Sequence, residues 1–391
     1  MTSDLLDLIN DDSEEKCLVS SKYFNCDQFE TYIKSQDDIG LTIFNNNARS
    51  LVNNKTHYDI LFDTLKNEFD IITFTETWLN NELETLVQLN NYNPIFQHKV
   101  PQKEGGGLAI FLKNGIDFNI RNDIGSSNIQ QNLFDCLSVE IPRQGKNIVL
   151  VLAYRSPSHN SVSEFTKFLE AIANTLADEN KHVILLGDFN INLLKVKNHN
   201  PTSLFLDSMI SSNLVPKITL PTRVTHSSAT LIDHVFTNCP DTTIAGTLRT
   251  DITDHYSNFI YVKTNHRPST KSPDFITYRP MTDTALKHFN DALYSTDWSS
   301  VYAHSNPSLA YDAFLHKYTS LIDLHLPLKT IKFSKYRNKQ HPWITGGLLR
   351  SLRTKDKLYA KLHKCKCHTS FIEKERYYKK YRNIYNKLIR L

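Results

Sequence analysis

Long apolar runs are absent from this sequence, and cysteine is scarce. No apolar stretch approaches the roughly 20 residues that a transmembrane helix needs, so we expect neither a membrane span nor a membrane partner. The opening stretch, MTSDLLDLINDDSEEK, is acidic and lacks the basic start and apolar centre of a secretory signal. Six cysteines scattered over 391 residues are typical of reduced thiols and argue against a disulfide framework. We therefore expect an intracellular protein of the nucleus or cytoplasm that is not secreted.

Charge is distributed unevenly along the chain. Residues 335–391 contain 17 Lys and Arg against 3 Asp and Glu, a net of +14, although the whole chain has a net charge of +4. Residues 1–39 are acidic and polar, so we expect weak order there. A basic C-terminal region is typical of contacts with the phosphate backbone of nucleic acid, and solvated helix faces are the alternative explanation. We expect residues 335–391 to raise the affinity for nucleic acid without selecting its sequence.

Strand patterns alternate with helical patterns from Leu41 onward. Short apolar runs stand on either side of amphipathic stretches such as SEFTKFLEAIANTLA, and this mixture predicts a layered α/β sandwich. The segment NHRPSTKSPDF has no periodicity and is typical of a linker. The predicted divisions are a weakly ordered segment 1–39, a domain 40–263, a linker 264–275 and a basic helical connector 276–391.

Two apolar stripes in the C-terminal region predict helices. The first consists of Leu348, Leu352, Tyr359 and Leu362. The second consists of Tyr377, Tyr381, Ile384 and Leu388. The tail tyrosines alternate with Lys and Arg and could stack on bases, but their positions on these stripes favour packing. Between the stripes, HKCKCH has a Cys-x-Cys spacing that does not fit the usual zinc site.

Polar side chains stand at the ends of several predicted strands. In HVILLGDFNIN the buried run ends at Gly187, and Asp188 and Asn190 follow on the same side of an extended chain. Comparable positions beside other strands are occupied by Asn47, Glu76, Tyr154, Asp233, Asp254 and His255. Because sites in α/β sheets form outside the strand ends, we expect these groups to converge.

Carboxylates, amides, a phenol and an imidazole together suit the hydrolysis of a phosphate ester. Oxygen ligands favour a hard cation, with Mg²⁺ expected and Mn²⁺ as the alternative. A carboxylate or imidazole can take a proton from water, and the neutral donors can hold phosphoryl oxygens. Each motif alone has a simpler explanation, because GDFN occurs at strand-to-turn junctions and an Asp-His pair is often structural. The ordered series of motifs is what favours a catalytic site.

That ordered series resembles the endonuclease/exonuclease/phosphatase superfamily and, more narrowly, the endonuclease domain of LINE-type (non-LTR) retrotransposon proteins. Its marks span roughly residues 40–262 and read NNNARSL, FTETWL, GGGLAIFLK, LAYRSP, LLGDFNIN, LPTRVT, SATLIDHVFTN and ITDHYS. The resemblance implies a four-layer α/β sandwich, in which two packed mixed β-sheets are flanked by helices. It also implies metal-dependent cleavage of phosphodiesters, here nicking of DNA to leave 3′-hydroxyl and 5′-phosphate ends.

The resemblance gives each motif residue a role. Asn47 and Glu76 would hold the metal, with Asp254 nearby. Tyr154 and Asn190 would contact the phosphate.

The remaining motif residues would handle the water and its proton. Asp188 would activate or position the water. His255, oriented by Asp233, would bind the phosphate or act as the base. The motifs leave open which of Asp188 and His255 is the general base.

The C-terminal part of the chain resembles the connector that follows the endonuclease in such elements. No ADD-type catalytic pair of a reverse transcriptase follows residue 275, so we expect a protein truncated before that enzyme. DNA is the expected substrate, and RNA is a further expected partner of the basic region. The sequence leaves the oligomeric state open.

Two other functions compete with the DNA endonuclease. One is a phosphatase or RNA nuclease of the same superfamily, although TLIDHVFTN stands where the inositol phosphatases have a P-x-W-x-D-R stretch. The other is a remnant that binds nucleic acid without catalysis, which the complete set of motifs argues against.

Overall fold

The computed structural model describes residues 21–36, 40–65, 69–99, 105–124, 134–143, 145–157, 162–225, 227–264, 275–332, 343–363 and 368–389. The α-helices are α1 (Cys26–Lys34), α2 (Leu51–Thr64), α3 (Val162–Asp178), α4 (Asn200–Ser211), α5 (Asp283–Ser295), α6 (Ser299–Tyr302), α7 (Pro307–His325), α8 (Gly346–His363) and α9 (His368–Leu388). Short 3-10 helices span Glu84–Val87, Leu193–Lys195 and Pro240–Thr242. Within these residues, no helix has the length and apolar character to cross a membrane.

The strands are β1 (Tyr23–Phe24), β2 (Gly40–Asn47), β3 (Ile71–Thr75), β4 (Tyr92–Gln97), β5 (Leu108–Lys113), β6 (Asn119–Ile120), β7 (Phe134–Ile141), β8 (Ile148–Arg155), β9 (His182–Asp188), β10 (Val215–Pro216), β11 (Arg223–Val224), β12 (Ala229–Thr230), β13 (Asp233–Thr237), β14 (Thr243–Leu248), β15 (Ser257–Lys263), β16 (Phe275–Tyr278) and β17 (Lys329–Lys332). One sheet has seven strands in the order β1-β14-β15-β2-β3-β5-β4. A second has six, in the order β10-β13-β9-β8-β7-β6. Both mix parallel and antiparallel neighbours.

Apolar side chains pack on both faces of both sheets, which produces four layers. On β2, Ile43 belongs to the core shared with the six-stranded sheet, and the next residue, Phe44, faces the opposite side with α2. This alternation follows from the two-residue period of a strand. Phe165 of α3 lies 5.0 Å from Phe134 of β7 between ring centroids, so α3 covers the outer face of the six-stranded sheet. The four-layer α/β sandwich expected from the sequence is therefore confirmed.

The segment 21–36 is ordered, contrary to the expectation of weak order over residues 1–39. Its strand β1 pairs in parallel with β14, and a capping box of Asn25 and Gln28 begins α1. Phe29 of α1 is fully buried, and its ring stacks on Phe69 at 5.2 Å. Burial of an aromatic side chain contributes about 1.5–3 kcal/mol, which offsets the polar composition of the segment. Residues 1–20 lie outside the described part of the chain.

Contacts divide the chain into two compact units, Met1–Thr270 with Gln340–Leu391, and Lys271–Lys339. The sequence had instead suggested one connector over 276–391. The smaller unit contains α5, α6 and α7 together with an unexpected antiparallel pair of β16 and β17. Residues 265–274 of the expected linker and 364–367 of HKCKCH lie outside the described residues.

Helices α8 and α9 pack against the α/β sandwich. Leu352 and Tyr385 form a buried cluster with Ile60 of α2, and Tyr359 and Tyr378 form another with Tyr256, which precedes β15. The first predicted stripe is confirmed, because Leu352, Tyr359 and Leu362 are all buried. These contacts make the two helices part of the larger unit.

The second predicted stripe was wrong. Tyr377 and Ile384 are 60% and 51% exposed, whereas Tyr378 and Tyr385 are buried. The buried row thus lies one residue further along α9, where the Tyr378 hydroxyl donates a hydrogen bond to the Asp251 carboxylate.

Candidate active site

Strand pairing brings the predicted polar residues to one edge of the sandwich. In the six-stranded sheet β8 and β9 are parallel, and Tyr154 stands beside Asp188 at their ends. Strand β13 runs antiparallel to β9, so its first residue, Asp233, pairs with Asp188. In the seven-stranded sheet the parallel strands β2 and β3 end at Asn47 and Thr75, immediately before Glu76. The topology therefore explains why motifs far apart in sequence meet.

Asp188 lies at the centre of this edge. Its position depends on Gly187, whose φ of +139° and close approach to Ala153 leave no room for a Cβ atom, which would lie 1.9 Å from the Ala153 carbonyl oxygen. The Asp188 carboxylate accepts hydrogen bonds from Asn47 Nδ2 at 2.8 Å and from the Asn190 backbone N–H at 3.0 Å. Burial, with the negative charge of Asp233, raises the pKa of Asp188 to about 7.

Asn47, Glu76 and Tyr154 form a hydrogen-bonded group beside Asp188. Asn47 Nδ2 also donates to Glu76 Oε1 at 2.8 Å, and the Tyr154 hydroxyl donates to the same oxygen at 3.2 Å. Burial, and then the negative charge of Glu76, raises the pKa of Tyr154 well above its usual value, so the phenol remains a donor. Glu76 has a φ of +49°, a strained conformation of the kind that concentrates at functional sites.

His255 and Asp233 form a buried pair. His255 Nδ1 lies 3.0 and 2.9 Å from the two carboxylate oxygens of Asp233, and both residues are almost fully buried. Burial of His255 opposes its charged form, but the Asp233 carboxylate outweighs this and raises the pKa of His255 to about 9. The pairing fixes the orientation of the imidazole ring.

Asp254 and Asn190 make hydrogen bonds to neighbouring residues, and their roles beside the metal and the phosphate stay predictions. Asp254 accepts hydrogen bonds from Arg49 Nη1 at 2.7 Å and from Arg223 Nε at 2.8 Å. Although its burial acts in the opposite direction, the hydrogen bond from Arg49 contributes most to lowering the pKa of Asp254. The Asn190 side chain donates from Nδ2 to the Arg155 carbonyl oxygen at 2.8 Å. Neither side chain joins the hydrogen-bonded group of Asn47, Glu76 and Tyr154.

Three arginines of the site lie within the motifs, and the resemblance assigns a role to none of them. Arg49 and Arg223 hold Asp254, as described above. Arg155 is buried and donates from Nε to the Phe189 carbonyl oxygen and from Nη2 to the Asn190 carbonyl oxygen, both at 2.7 Å. It thereby holds the backbone that carries Asn190. The signal available in the sequence was the position of the three arginines: Arg49 follows β2 closely, Arg155 ends β8 and Arg223 begins β11.

The chemistry of these donors fits a divalent cation. Asp188, Asp233 and His255 each offer one ligand atom, and these atoms lie within 4.8 Å of one another. Because His255 is already paired with Asp233, the Glu76 carboxylate, which lies beside Asn47 and Asp188, is better suited as a ligand. The like charges of Asp233 and Glu76 contribute to the raised pKa of Asp188, and a cation would offset them. Oxygen donors of this kind suit a hard cation.

Solved structures similar to this chain include several nucleases. The endonuclease domain of TRAS1, a telomere-specific non-LTR retrotransposon, is 11% identical, with 58% of this chain and 100% of that chain covered and a TM-score of 0.45. The AP endonuclease LMAP from Leishmania major is 13% identical, with coverage of 67% and 98% and a TM-score of 0.49. The Xenopus laevis APE2 catalytic domain is 17% identical, with coverage of 59% and 94% and a TM-score of 0.44.

Sequence comparison gives the family. No curated protein matches the chain significantly. The model of the Endonuclease/Exonuclease/phosphatase family, however, matches residues 24–310, which is most of the chain. This match agrees with the four-layer sandwich and with the polar residues gathered at its edge. The chain therefore belongs to the Endonuclease/Exonuclease/phosphatase family.

Proposed function

We propose that this protein is a Mg²⁺-dependent DNA endonuclease of a non-LTR retrotransposon, which nicks one strand and leaves 3′-hydroxyl and 5′-phosphate ends. The observation that supports this best is the position of Asp188. Asp188 accepts a hydrogen bond from Asn47 of the other sheet and stands beside Asp233, which is paired with His255. An acidic group, an amide and an oriented imidazole thus lie around one point, and this combination suits the hydrolysis of a phosphodiester.

Glu76 and Asn47 would hold the cation, with Asp188 next to them. When bound, the cation would polarise a phosphoryl oxygen and offset charge on the leaving oxygen. Asp254 was expected near the metal, but its bonds to Arg49 and Arg223 give it a different role in this proposal. It holds the two guanidinium groups, which can contact the phosphate backbone beside the scissile bond.

Asp188 and the residues around it have different roles in the proposed hydrolysis. A water oxygen forms the new bond to phosphorus, and its proton passes to Asp188. His255, whose pKa is raised by Asp233 so that the imidazole is protonated near neutral pH, contacts the phosphate. The bond from phosphorus to the 3′-oxygen breaks, and that oxygen takes up a proton to become the 3′-hydroxyl. The Tyr154 phenol donates a hydrogen bond to a non-bridging oxygen, where negative charge increases in the transition state. Asn190 is a second candidate for contact with the phosphate.

A supercoiled-plasmid nicking assay tests the function. The purified protein with Mg²⁺ should convert plasmid to open circles, and a chelator should abolish the reaction. Asp188→Asn should abolish it too, whereas Asp59→Asn should retain it. Asp59 is a matched control because it is buried on α2 in an ion pair with Lys55, away from the site. If folded wild-type protein does not nick DNA but hydrolyses RNA or a phosphomonoester, the DNA endonuclease proposal fails.

The retrotransposon assignment has its own consequence. A nick with a free 3′-hydroxyl can serve as a primer for reverse transcription, which is the use that the resemblance implies. We expect a polymerase to extend the nicked strand directly, without prior removal of a 3′-phosphate. Extension that needs phosphatase treatment would contradict this part of the proposal.

A further inference from the structure

Side chains of helices α8 and α9 contact the chain segment that leads into the candidate active site. Lys355 of α8 is 1% exposed, and its Nζ donates to the Asp251 carbonyl oxygen at 3.0 Å and lies 3.3 Å from Asp251 Oδ2. Tyr378 of α9 donates to the same carboxylate. Asp251 is four residues before His255, so the two helices contact the segment that carries the catalytic histidine.

A groove of about 670 Å³ lies between that segment and α9. One wall includes Arg49 and Asp254, which also belong to the edge of the candidate active site. The opposite wall includes Lys379, Arg382 and Asn386 of α9. The groove therefore begins at the candidate site and continues along the C-terminal helix.

The acidic groups that line the groove already have basic partners. Asp254 binds Arg49 and Arg223, and Asp251 binds Lys355. Glu375 forms an ion pair with Lys379 within α9 at 2.9 Å, an exposed contact of the kind that contributes little. Because each of these carboxylates is paired with a basic group, an anion that enters the groove meets little uncompensated negative charge.

Arg382 is the most available of these cations. In the described part of the chain no carboxylate lies within ion-pair distance of it, and its guanidinium carbon lies 5.7 Å from the centre of the Tyr378 ring. Arginine, lysine and asparagine side chains are among the usual donors to phosphate oxygens in protein–DNA complexes. Together α8 and α9 contain 11 Lys and Arg against 3 Asp and Glu, which favours the same anionic partner.

We propose that this groove binds the sugar-phosphate backbone of duplex DNA on one side of the scissile phosphate, with Lys379 and Arg382 contacting phosphates. This inference rests on the proposed endonuclease function and extends it. Helices α8 and α9 are then a wall of the substrate site and not only a connector. Because phosphate contacts carry no base information, they raise affinity for all sequences alike.

The test compares two pairs of substitutions on the same helix. Lys379→Gln with Arg382→Gln removes the two cations of the groove. Lys380→Gln with Lys387→Gln removes two exposed cations of α9 that do not line it. Binding to a short labelled DNA duplex is measured by fluorescence anisotropy in chelator, at several salt concentrations, so that no cleavage occurs. Lys379→Gln alone is included because Arg382 also contacts Tyr378, and thermal unfolding checks that every variant is folded.

We expect the groove pair to raise Kd by about tenfold or more, and to reduce the slope of log affinity against log salt by about 2. The control pair should change both quantities much less, and Lys379→Gln should reduce the slope by about 1. Equal effects of the two pairs would overturn the proposal, because general charge would then explain the binding. A loss of affinity for an RNA duplex but not for DNA would overturn it as well.

Failure of the groove and failure of the endonuclease can be distinguished. If wild-type protein does not nick plasmid but its DNA affinity depends on Lys379 and Arg382, the endonuclease proposal is wrong and the groove proposal is supported. If wild-type protein nicks plasmid and the variant with both groove substitutions binds and nicks as well as wild type, the groove proposal is wrong and the endonuclease proposal is supported.

Discussion

Asn47 Nδ2, at the end of β2 in one sheet, lies 2.8 Å from Asp188 Oδ2, at the end of β9 in the other. The same nitrogen lies 2.8 Å from Glu76 Oε1. One amide thus connects two carboxylates across the interface of the two sheets. Opening the sandwich at this edge would separate the groups that the proposed chemistry needs together.

Asn47→Ala should lower the nicking rate by about 10²–10³-fold, the effect of removing one preorganised donor from a site. Asn45→Ala is the matched control. Asn45 is buried on the same strand, and its side chain accepts a hydrogen bond from Thr73 at 3.0 Å. We expect Asn45→Ala to lower the thermal midpoint but to leave kcat unchanged. Equal kcat for Asn47→Ala and wild type would remove Asn47 from the site.

His255→Ala should lower kcat by about 10²-fold or more, the scale expected for a positioned acid or base. Asp233→Asn should give a loss in the same direction, because it removes the group that orients the ring. The double variant should be little worse than His255→Ala, since the two residues act as a unit. His182→Asn, at the opposite end of β9, is the control and should retain activity. Additive losses in the double variant would show that the two residues act separately.

His234 should make the protein less stable in mild acid. It is fully buried, its Nε2–H donates to the Ile191 carbonyl oxygen at 2.8 Å, and burial lowers its pKa to about 4. Between pH 6.5 and 4 the unfolded chain binds a proton that folded His234 excludes, so stability present above pH 6.5 is lost as pH falls. The full effect is about 3 kcal/mol, at about 1.4 kcal/mol per pH unit.

Urea unfolding of wild type and His234→Gln at several pH values measures this effect. Glutamine keeps a donor for the Ile191 carbonyl oxygen but has no proton to gain. The difference in free energy of unfolding between the two proteins isolates His234, because other titrating groups affect both proteins equally. This difference should shrink or change sign as pH falls from 6.5 to 4. A constant difference over this range would show that His234 does not titrate as described.

Lys355→Met should lower the free energy of unfolding by roughly 3 kcal/mol, because it leaves the mostly buried Asp251 carboxylate without its cation. Lys357→Met on the same helix is the control, since Lys357 is exposed. Urea unfolding followed by tryptophan fluorescence and circular dichroism gives the free energy of unfolding of each variant. If the two variants are equally stable, the contact between α8 and Asp251 contributes nothing to folding.

Much of the sandwich could be predicted from sequence, and so could the edge at which the candidate site residues converge. The apolar runs predicted the principal strands because both faces of each are buried, and the polar residues at their ends predicted the edge where Asp188, Asp233 and His255 meet. The position of Asp254 could not be predicted from its motif. Residues 252–254 form a bend just before His255, and in the folded chain His255 faces Asp233 while Asp254 faces Arg49 and Arg223.

The features that sequence did not predict depend on distant contacts. The order of segment 21–36 depends on the packing of Phe29 against Phe69, which no local pattern indicates. The buried row of α9 could not be chosen by periodicity, because tyrosines occupy two adjacent rows of that helix. The contact of Tyr378 with Asp251 identifies the buried row, and it exists only in the folded chain.

The most direct test of the proposed function is the chemistry of the ends at a single nick. A duplex labelled on one strand would be treated with wild-type protein and Mg²⁺, and the products compared with those of Asp188→Asn. The proposal predicts a nick that a polymerase extends without pretreatment and a 5′-phosphate that a ligase can seal, with neither product in the variant. A 3′-phosphate end, or equal cleavage by Asp188→Asn, would contradict it.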